Sequence, residues 1–321
     1  MLSLVQQTIH AELERYEELF RSSLQSSNVL LSAALEHLTR KLGKLMRPTL
    51  VLLCAREGGT VNDAVLQAAT GLEMLHTASL VHDDVIDESD MRRGQRTVNA
   101  LFDNKAAVLV GDFVTSKALS AMAMTHSLEA VERTAWLGQQ LADGELLQLA
   151  ITQEKDFSEA PYYEVISKKT AALFATCARL GARLGGADDE TVNRLERFGH
   201  LTGLCFQMRD DLFDFDDAVD AGKPKGNDML EGKLTLPVLF ALRDGDDGHR
   251  RLALKVRAGE ASANEIHQLV EYTVQRGGIA YTQAAMQRLS DEAKAQLQGL
   301  RHPEVAEALT HYLDYVVSRK Q

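Results

Sequence analysis

Proline, cysteine and aromatic residues are scarce in this chain. Only 5 of its 321 residues are proline and 6% are aromatic, whereas an average usage of about 5% would give roughly three times as many prolines. So few helix breakers, among long stretches rich in Ala, Leu, Glu and Gln, predict long helices and argue against an all-β fold. The three cysteines, Cys54, Cys177 and Cys205, lie in apolar helical surroundings. We interpret them as buried reduced thiols, not as a disulfide framework or a metal site.

Positive charge is also in deficit. The chain has 35 Lys and Arg against 46 Asp and Glu, a net charge of −11, and no basic run offsets it. A nucleic-acid partner is therefore not expected. No continuous apolar run reaches about 18 residues, so we expect no stable membrane insertion. The N-terminal segment lacks the basic stretch and apolar core of a signal peptide, and we expect a cytoplasmic protein.

Apolar residues recur every three or four positions along most of the chain, which is the period of an amphipathic helix. Residues 189–215 carry the clearest stripe: Val192, Leu195, Phe198, Leu201, Leu204, Cys205, Met208, Leu212 and Phe215. No segment shows convincing two-residue alternation. The sequence therefore predicts an all-α fold, as a single helical domain over residues 1–321 with ten or more helices.

Two segments carry the pattern Asp-Asp-x-x-Asp inside strongly apolar helices. The first motif is Asp83, Asp84 and Asp87, and the second motif is Asp210, Asp211 and Asp214. On a helix the first and third aspartates of each motif share one face, about 5–6 Å apart, and their like charges repel. Clustered carboxylates suit Mg²⁺, which takes carboxylates, waters and substrate phosphates as ligands. We predict that all six aspartates belong to metal sites.

Basic residues cluster in four segments that accompany the motifs. They are Lys44 and Arg47, Arg92 and Arg93, Lys168 and Lys169, and finally Lys223, Lys225 and Lys233. Acids together with many Lys and Arg residues predict a site for a polyanion held through Mg²⁺, with Arg making bidentate phosphate contacts. The chain contains neither a P-loop nor a Rossmann glycine pattern, so the site is of neither kind.

These motifs closely resemble, in the same order and over nearly the whole chain, those of the trans-isoprenyl (polyprenyl) diphosphate synthase family. The matching segments are GKLMRP at 43–48, EMLHTASLVHDDVIDESDMRRG at 73–94, LVGDFV at 109–114, GELLQL at 144–149, SKKTA at 167–171, FQMRDDLFD at 206–214 and GKPKGNDMLEGKLTLP at 222–237. Two acidic motifs with this spacing and these neighbours are highly specific.

The resemblance implies a homodimer with the isoprenoid-synthase type of all-α fold and a central apolar cavity. It also implies a Mg²⁺-dependent, head-to-tail condensation of isopentenyl diphosphate with an allylic diphosphate, with three Mg²⁺ ions at each active site. The alternative of a non-catalytic partner subunit in a heteromeric synthase fits poorly, because such subunits lose acidic motifs and this chain keeps both. A terpene cyclase on the same fold would lack the isopentenyl-binding pattern.

The resemblance also implies roles for particular residues. Both motifs would hold Mg²⁺ on the allylic diphosphate, with Asp83, Asp87 and Asp210 as direct ligands. The contacts to that diphosphate would be Arg92, Lys169, Lys223 and Lys233. The contacts to isopentenyl diphosphate would be Lys44, Arg47, His76 and Arg93. Thr170 and Gln207 would support the reacting carbon, so the catalytic set is Lys169, Thr170, Gln207 and Lys233. By contrast, Tyr162 and Tyr163 have no such support and are read as core or interface residues.

Two departures from the family pattern lie next to the isopentenyl-binding segment. Leu42 replaces a Gly and Leu45 replaces an Arg. One diphosphate contact is therefore missing, although Lys44 and Arg47 keep their positions.

Product length depends on the floor of the cavity. Ser79 lies one helical turn before Asp83 on the same face, and the resemblance adds Ala78; short-chain enzymes of the family carry Phe or Tyr at one or both positions. Here both are small, and the next helix offers further lining residues, namely Ser116, Leu119, Ser120, Met122 and Ala123. We predict a medium- to long-chain product of about seven to nine isoprene units, of the octaprenyl type that serves quinone side chains. A short-chain synthase that makes farnesyl or geranylgeranyl diphosphate is the alternative, and it would differ only in the cavity floor. A separate explanation of the small residues is that they merely allow the helices to pack closely.

Overall fold

The computed structural model describes residues 2–40, 43–92, 94–215 and 226–319, without the side chains of residues 3 and 4. Within these ranges the regular structure is helical apart from one short hairpin. The helices are α1 Leu2–Gln7, α2 His10–Ser23, α3 Val29–Thr39, α4 Met46–Gly58, α5 Asp63–Ile86, α6 Val98–Phe102, α7 Asn104–Ala123, α8 Leu128–Ile151, α9 Ala160–Ile166, α10 Ala172–Gly185, α11 Asp189–Phe213, α12 Asn227–Leu230, α13 Leu236–Arg243, α14 Asp247–Arg257, α15 Ala263–Gln275, α16 Gly278–Gln296 and α17 Pro303–Ser318. A π-helical turn, Ser167–Ala171, joins α9 to α10, and strand β1 Met91–Arg92 pairs antiparallel with β2 Gln95–Arg96. The predicted all-α fold is confirmed.

The apolar stripe predicted along residues 189–215 is the buried face of α11 and of the two residues that follow it. All nine of its members are buried. The three cysteines are buried and free, as predicted. Burial of an apolar helix face is the main source of helix stability in a folded protein, because short isolated helices are marginal in water.

The chain divides into two compact units. Unit 1 comprises Met1–Gly138, Thr176–Glu196 and Gly299–Leu309, and unit 2 comprises Gln139–Ala175, Arg197–Gln298 and Thr310–Gln321. Each unit has its own buried apolar side chains and its own cavity. The single domain over residues 1–321 and the central cavity stay predictions.

In unit 1, α5 and α7 pack against each other over most of their length. Glycines make this close approach possible: a Cβ at Gly71 would lie 2.8 Å from Met122 Cε and 3.0 Å from the Ala118 carbonyl oxygen. At Gly111 a Cβ would overlap the His82 ring. Since α5 ends in the first aspartate motif, this packing fixes the position of that motif within unit 1.

Helix α7 bears on the expectation of no membrane insertion without contradicting it. Its 20 residues are long and apolar enough to cross a bilayer by length and composition, with a mean hydropathy of 1.3 over 18 residues, and 39% of that window is buried. The core helix of a soluble protein passes the same test. Charged residues such as Lys105 and Asp112 interrupt this helix, so it contains no continuous apolar run of about 18 residues, and the absence of membrane insertion stays a prediction.

Candidate functional site

Unit 1 contains a cavity of about 270 Å³, here called the unit-1 cavity. Three residues predicted from the sequence line it: His76 and Asp84 from α5, and Arg92 from β1. Tyr16, Glu73 and Arg96 also line it. The cavity therefore carries acidic and basic groups together, as a polyanion site with a metal would require.

The middle aspartate of the first motif is held by an ion pair. Asp84 is only 5% exposed, and Arg92 Nε donates a 2.6 Å hydrogen bond to its Oδ1. Burial raises the pKa of Asp84, and the Arg92 contact opposes that rise. Arg92 is carried by the β1–β2 hairpin, which places it opposite Gln95. The hairpin thus positions the Arg92 guanidinium against Asp84, near the C-terminal end of α5.

The outer aspartates of the first motif differ from the middle one in exposure. Asp83 is half-buried and Asp87 is exposed. Helix α5 ends at Ile86, one residue before Asp87, but the Asp87 N–H still bonds the Asp83 carbonyl oxygen at 2.8 Å. The i,i+4 spacing is therefore retained, although the third aspartate is not within the helix as expected. The backbone turns away at Glu88, whose φ is 49°.

Of the predicted isopentenyl-binding residues, Lys44 lies two positions before α4 begins and Arg47 lies in its first turn. Lys44 is exposed, and its carbonyl oxygen accepts a 3.0 Å hydrogen bond from Gln6 Nε2. Arg47 is half-buried, and its charge opposes the rise in the pKa of the Tyr16 hydroxyl. Leu45, the residue that replaces the family's Arg, lines the unit-1 cavity in a left-handed conformation with φ 51°. The departure from the family pattern is thus a change in the cavity wall. Arg93 and Leu42 lie outside the described residues.

Unit 2 contains a second cavity, of about 210 Å³, here called the unit-2 cavity. It brings together five residues that the sequence singled out, namely Lys169, Thr170, Gln207, Asp211 and Lys233. Apolar side chains including Val165, Ile166 and Leu239 complete the wall. Lys223 lies outside the part of the chain that the structure describes.

A continuous chain of hydrogen bonds runs through the unit-2 cavity. The Thr170 hydroxyl donates to Gln207 Oε1 at 2.9 Å, and Gln207 Nε2 donates to Asp211 Oδ1 at 3.0 Å. The Tyr162 hydroxyl donates to Asp211 Oδ2 at 2.6 Å. The reading of Tyr162 as merely a core or interface residue is therefore incomplete, since it is buried and bonds a motif aspartate. Tyr162 lies 49 positions before Asp211 in the chain, and no sequence motif links the two residues.

The π-helical turn Ser167–Ala171 presents Lys169 and Thr170 to the cavity. Such turns interrupt the regular bond ladder and occur often at functional sites. Glycines on the neighbouring helices leave room for it: a Cβ at Gly203 would lie 2.6 Å from Ala171 Cα, and one at Gly144 would lie 2.8 Å from Lys169 Cγ. Larger residues at these two glycines would push the turn out of place.

The cations of the unit-2 cavity are matched to local acceptors. Lys169 forms an ion pair with Glu145 and donates to Gln148 Oε1 at 3.1 Å. Lys233 Nζ lies 2.6 Å from Glu231 Oε2. A diphosphate would have to draw these ammonium groups from their carboxylates, which is feasible because partly exposed ion pairs are weak.

Each aspartate of the second motif has a protein partner. Asp210 accepts a 2.7 Å hydrogen bond from Arg319 Nη2, and Asp211 is held by Tyr162 and Gln207. Asp214, one residue past the end of α11, accepts the backbone N–H groups of residues 227 and 228 at 2.9 and 3.0 Å. The motif is thus tied to the first turn of α12.

Burial and like charges perturb the acids of this region. Burial raises the pKa of Asp211 to about 7, with Asp210 and Asp214 adding to the rise. Burial, followed by the charges of Asp211 and Asp214, raises the pKa of Asp228 to about 8. Asp228 also lines the cavity and was not predicted as a site residue. These two carboxyl groups therefore keep much of their proton near neutral pH in the metal-free chain.

The donor set fits a divalent cation, although among the described residues no three His, Cys, Asp or Glu side chains are assembled as metal ligands. Hard carboxylate oxygens are the ligands that Mg²⁺ prefers. Both motifs lie at the C-terminal ends of helices, where the helix dipole already disfavours negative charge. A bound cation would offset the unfavourable helix dipole and also the repulsion between the carboxylates of each motif. The six motif aspartates stay predicted metal ligands.

The residues predicted to set product length occupy different environments. Ala78 is 1% exposed and Ser79 is half-buried, with its hydroxyl bonded to the His76 carbonyl oxygen at 2.9 Å. On α7, Met122 is buried, while Ser116 and Leu119 are exposed in the single chain. None of the α7 positions expected to line a tunnel, which are Ser116, Leu119, Ser120, Met122 and Ala123, lines either of the two described cavities.

Comparison with known proteins gives the class of this chain. The polyprenyl synthetase family model matches residues 28–273. Octaprenyl diphosphate synthase of Escherichia coli K12 is 37% identical over 281 residues, which cover 86% of each chain. The crystal structure of geranylgeranyl pyrophosphate synthase from Bacteroides thetaiotaomicron is 43% identical, covers 99% of both chains and gives a TM-score of 0.87. That of polyprenyl synthase from Caulobacter crescentus CB15, complexed with calcium and isoprenyl diphosphate, is 32% identical, covers 100% of this chain and 98% of its own, and gives a TM-score of 0.93.

The chain belongs to the polyprenyl synthetase family. It is a prenyltransferase enzyme of isoprenoid biosynthesis, in the class of trans-prenyl diphosphate synthases. This family uses isopentenyl diphosphate and an allylic diphosphate as substrates and a divalent metal ion for catalysis. The resemblance inferred from the motifs is confirmed for the family, the all-α fold and the enzyme class.

Proposed function

We propose that the chain is a Mg²⁺-dependent synthase that joins isopentenyl diphosphate head to tail to an allylic diphosphate and makes a medium- to long-chain product of the octaprenyl type. The observation that carries the proposal is the unit-2 cavity. There the hydrogen-bond chain from Thr170 through Gln207 to Asp211 meets two ammonium groups and an apolar wall. Cations suit a diphosphate, and apolar side chains suit a prenyl chain.

The reaction needs stabilised negative charge, not a protein nucleophile. The allylic C–O bond breaks, and its electron pair leaves with the diphosphate. Mg²⁺, held by the six motif aspartates, would neutralise part of that charge. Lys169 and Lys233, which line the unit-2 cavity, would bind the diphosphate oxygens. Arg92 is assigned to the same diphosphate by resemblance alone. Lys223 joins them by resemblance.

Carbon chemistry then completes the turnover. Thr170 and Gln207 present oxygen atoms beside the allylic cation, and apolar residues such as Val165 and Leu239 exclude water that would otherwise quench it. The isopentenyl double bond attacks the cation, which forms the new C–C bond. The diphosphate released in the first step accepts one proton from the new cation, and the electrons of that C–H bond form a double bond. The product is therefore again an allylic diphosphate that can enter another cycle.

The second substrate binds at the unit-1 cavity in this proposal. His76 lines that cavity, and Arg47 lies close enough to influence Tyr16, which lines it as well. Lys44 and Arg93 complete the isopentenyl diphosphate set by resemblance. Leu45 leaves the site one cation short of the family pattern, so we expect the remaining cations to contribute more.

Product length is the finer part of the proposal. The small side chains of Ala78 and Ser79, and the octaprenyl synthase at 37% identity, favour a product of about seven to nine isoprene units. A short-chain product is the second candidate, because the geranylgeranyl synthase is 43% identical. Replacement of Ser79 by Phe should shorten the product by several units, measured by chromatography of the dephosphorylated alcohols. Ser22→Phe, on the exposed side of α2, should leave the length unchanged. An unaltered product from S79F would contradict the floor argument.

We also propose a homodimer and a cytoplasmic location. Helix α7 exposes Leu109 (68%), Leu119 (46%) and Val108 (42%) in the single chain, and Met124 just beyond it is 58% exposed. Apolar side chains on one helix face are typical of a subunit interface. Sedimentation equilibrium should give twice the chain mass, and Leu109→Glu should shift it toward the monomer.

The direct test of function is incorporation of radiolabelled isopentenyl diphosphate. The purified chain should elongate an allylic primer with Mg²⁺ and should fail to do so with EDTA. Chromatography of the product gives its length. Absence of incorporation with geranyl, farnesyl and geranylgeranyl diphosphates would overturn the proposal, and would favour the partner-subunit alternative if a second chain restored activity.

A further inference from the structure

Tyr16 is a fully buried tyrosine in the wall of the unit-1 cavity. It lies in α2, one turn after Leu13 and one turn before Phe20, and all three side chains are buried. The Tyr16 and Phe20 ring centroids are 5.9 Å apart, and both residues line the cavity. The sequence motifs gave no reason to single out α2.

The Tyr16 hydroxyl has no hydrogen-bond partner among the described residues. A buried tyrosine hydroxyl normally finds one. Leaving such a donor unsatisfied costs about 1–3 kcal/mol. Because this donor lies in the wall of a cavity, a molecule bound in the cavity can supply the missing acceptor.

The surroundings of the hydroxyl specify the chemistry of that molecule. Burial raises the pKa of Tyr16 well above its ordinary value, with Glu73 and Glu17 adding to the rise, while Arg47 opposes it. The phenol is therefore neutral and remains a donor. The cavity wall also carries His76, Arg92 and Arg96. The same wall carries the acidic side chains of Glu73 and Asp84. A neutral donor in a wall that also holds Arg92 and Arg96 fits an anionic oxygen such as that of a diphosphate.

We propose that Tyr16 is a substrate-binding residue for isopentenyl diphosphate, and that its hydroxyl donates a hydrogen bond to a diphosphate oxygen in the unit-1 cavity. The inference rests on the proposed function, and within it assigns a residue outside the family's motifs. Isopentenyl diphosphate is favoured over the allylic substrate because Arg47 and His76, both predicted for the former, are its neighbours.

The test is the Tyr16→Phe variant, which keeps the ring and removes only the hydroxyl. A hydrogen bond to a charged group is worth about 1.5–3 kcal/mol, so the KM for isopentenyl diphosphate should rise about tenfold or more. The kcat and the KM for the allylic substrate should stay within about twofold. Calorimetric titration with isopentenyl diphosphate should show weaker binding by a similar factor.

Thermal unfolding of the ligand-free variant separates binding from structure. Because the variant removes an unsatisfied buried donor, its Tm should equal or exceed that of the wild type. Tyr312→Phe is the matched control: Tyr312 is equally buried, does not line the cavity, and has a polar or ring partner of its own. That control should keep the wild-type KM for isopentenyl diphosphate.

Each other outcome contradicts the inference. An unchanged KM and binding constant would mean that Tyr16 only packs, and a lower Tm would mean that its hydroxyl is already satisfied in the free enzyme. A rise in the allylic KM alone would assign the residue to the other substrate. A wild type that incorporates no isopentenyl diphosphate would overturn the proposed function as well, and is measured first.

Discussion

The two aspartate motifs have the same sequence pattern and similar backbone settings. In each, the middle aspartate is buried, Asp84 at 5% and Asp211 at 3% exposure. In each, the third aspartate follows the last helical residue, at the C-terminal end of α5 or α11. Helix geometry explains why the middle aspartate differs from the other two, because its position points about 80° away from the centre of the face that the others share.

The motifs differ in what surrounds them. Asp84 has an arginine beside it, and Asp87 is exposed. In the second motif, Asp210 is paired with Arg319, whereas Asp211 accepts only neutral donors and its pKa rises to about 7. Local sequence therefore sets which carboxylates share a face, and tertiary contacts set how easily each one ionises. The second motif is the more constrained and the more strained electrostatically.

The largest expected effect comes from removing one predicted metal ligand in either motif. Asp83→Asn and Asp210→Asn should each lower kcat by about 100-fold or more, because in the proposed function each removes a charge that would hold the metal on the leaving group. Steady-state kinetics at several Mg²⁺ concentrations measures the loss. Asp63→Asn is the matched control, an acid paired with Arg15 at the exposed start of α5. If only one motif responded, the functional equivalence of the two would be wrong.

An intermediate loss of kcat should follow from removing one hydrogen bond to Asp211, the buried aspartate of the second motif. Tyr162→Phe removes the 2.6 Å hydrogen bond to Asp211, which further raises the pKa of that carboxyl and weakens its orientation. We expect kcat to fall about tenfold at pH 7 and less at pH 9. Tyr163→Phe, on the adjacent half-buried tyrosine, should stay within about twofold. Equal losses in the two variants would point to packing instead.

The smallest effect concerns stability and its dependence on pH. The folded-state pKa of Asp228 is about 8 against an ordinary value of 3.8, so the folded form keeps a proton that the unfolded form has lost. Stability from this group is therefore lost as pH rises from about 4 to 8. Without metal, Asp228→Asn should gain about 1–3 kcal/mol relative to wild type between pH 5 and pH 8. Denaturant titrations at pH 5 and pH 8 measure the free energy of unfolding of the two proteins. If the gain from Asp228→Asn were the same at both pH values, the raised pKa of Asp228 would be contradicted.

The sequence predicted the helices and the shared-face geometry because both follow from local periodicity. The stripe from Val192 to Phe215 is buried throughout, and the motif aspartates keep their i,i+4 relation even where the helix ends. The resemblance added Thr170 and Gln207, which the structure finds hydrogen-bonded to each other. Periodicity carries such information, since each turn repeats the same face.

Contacts between distant segments could not be predicted in this way. Tyr162 meets Asp211 across 49 positions and Arg319 meets Asp210 across 109, and neither pair has a local pattern. The charge state of Asp228 depends on burial that only the folded chain defines. The unsatisfied Tyr16 hydroxyl is likewise known only from the folded structure, which gives its burial, its missing partner and its place in the cavity wall.

The most direct measurement of the central claim is a crystal structure with Mn²⁺ in place of Mg²⁺ and an unreactive allylic diphosphate analogue, with the metals located by anomalous scattering. We predict metal ions coordinated by Asp83, Asp87 and Asp210 and by oxygens of one diphosphate. Metal ions bound elsewhere, with these carboxylates still held by their protein partners alone, would contradict it.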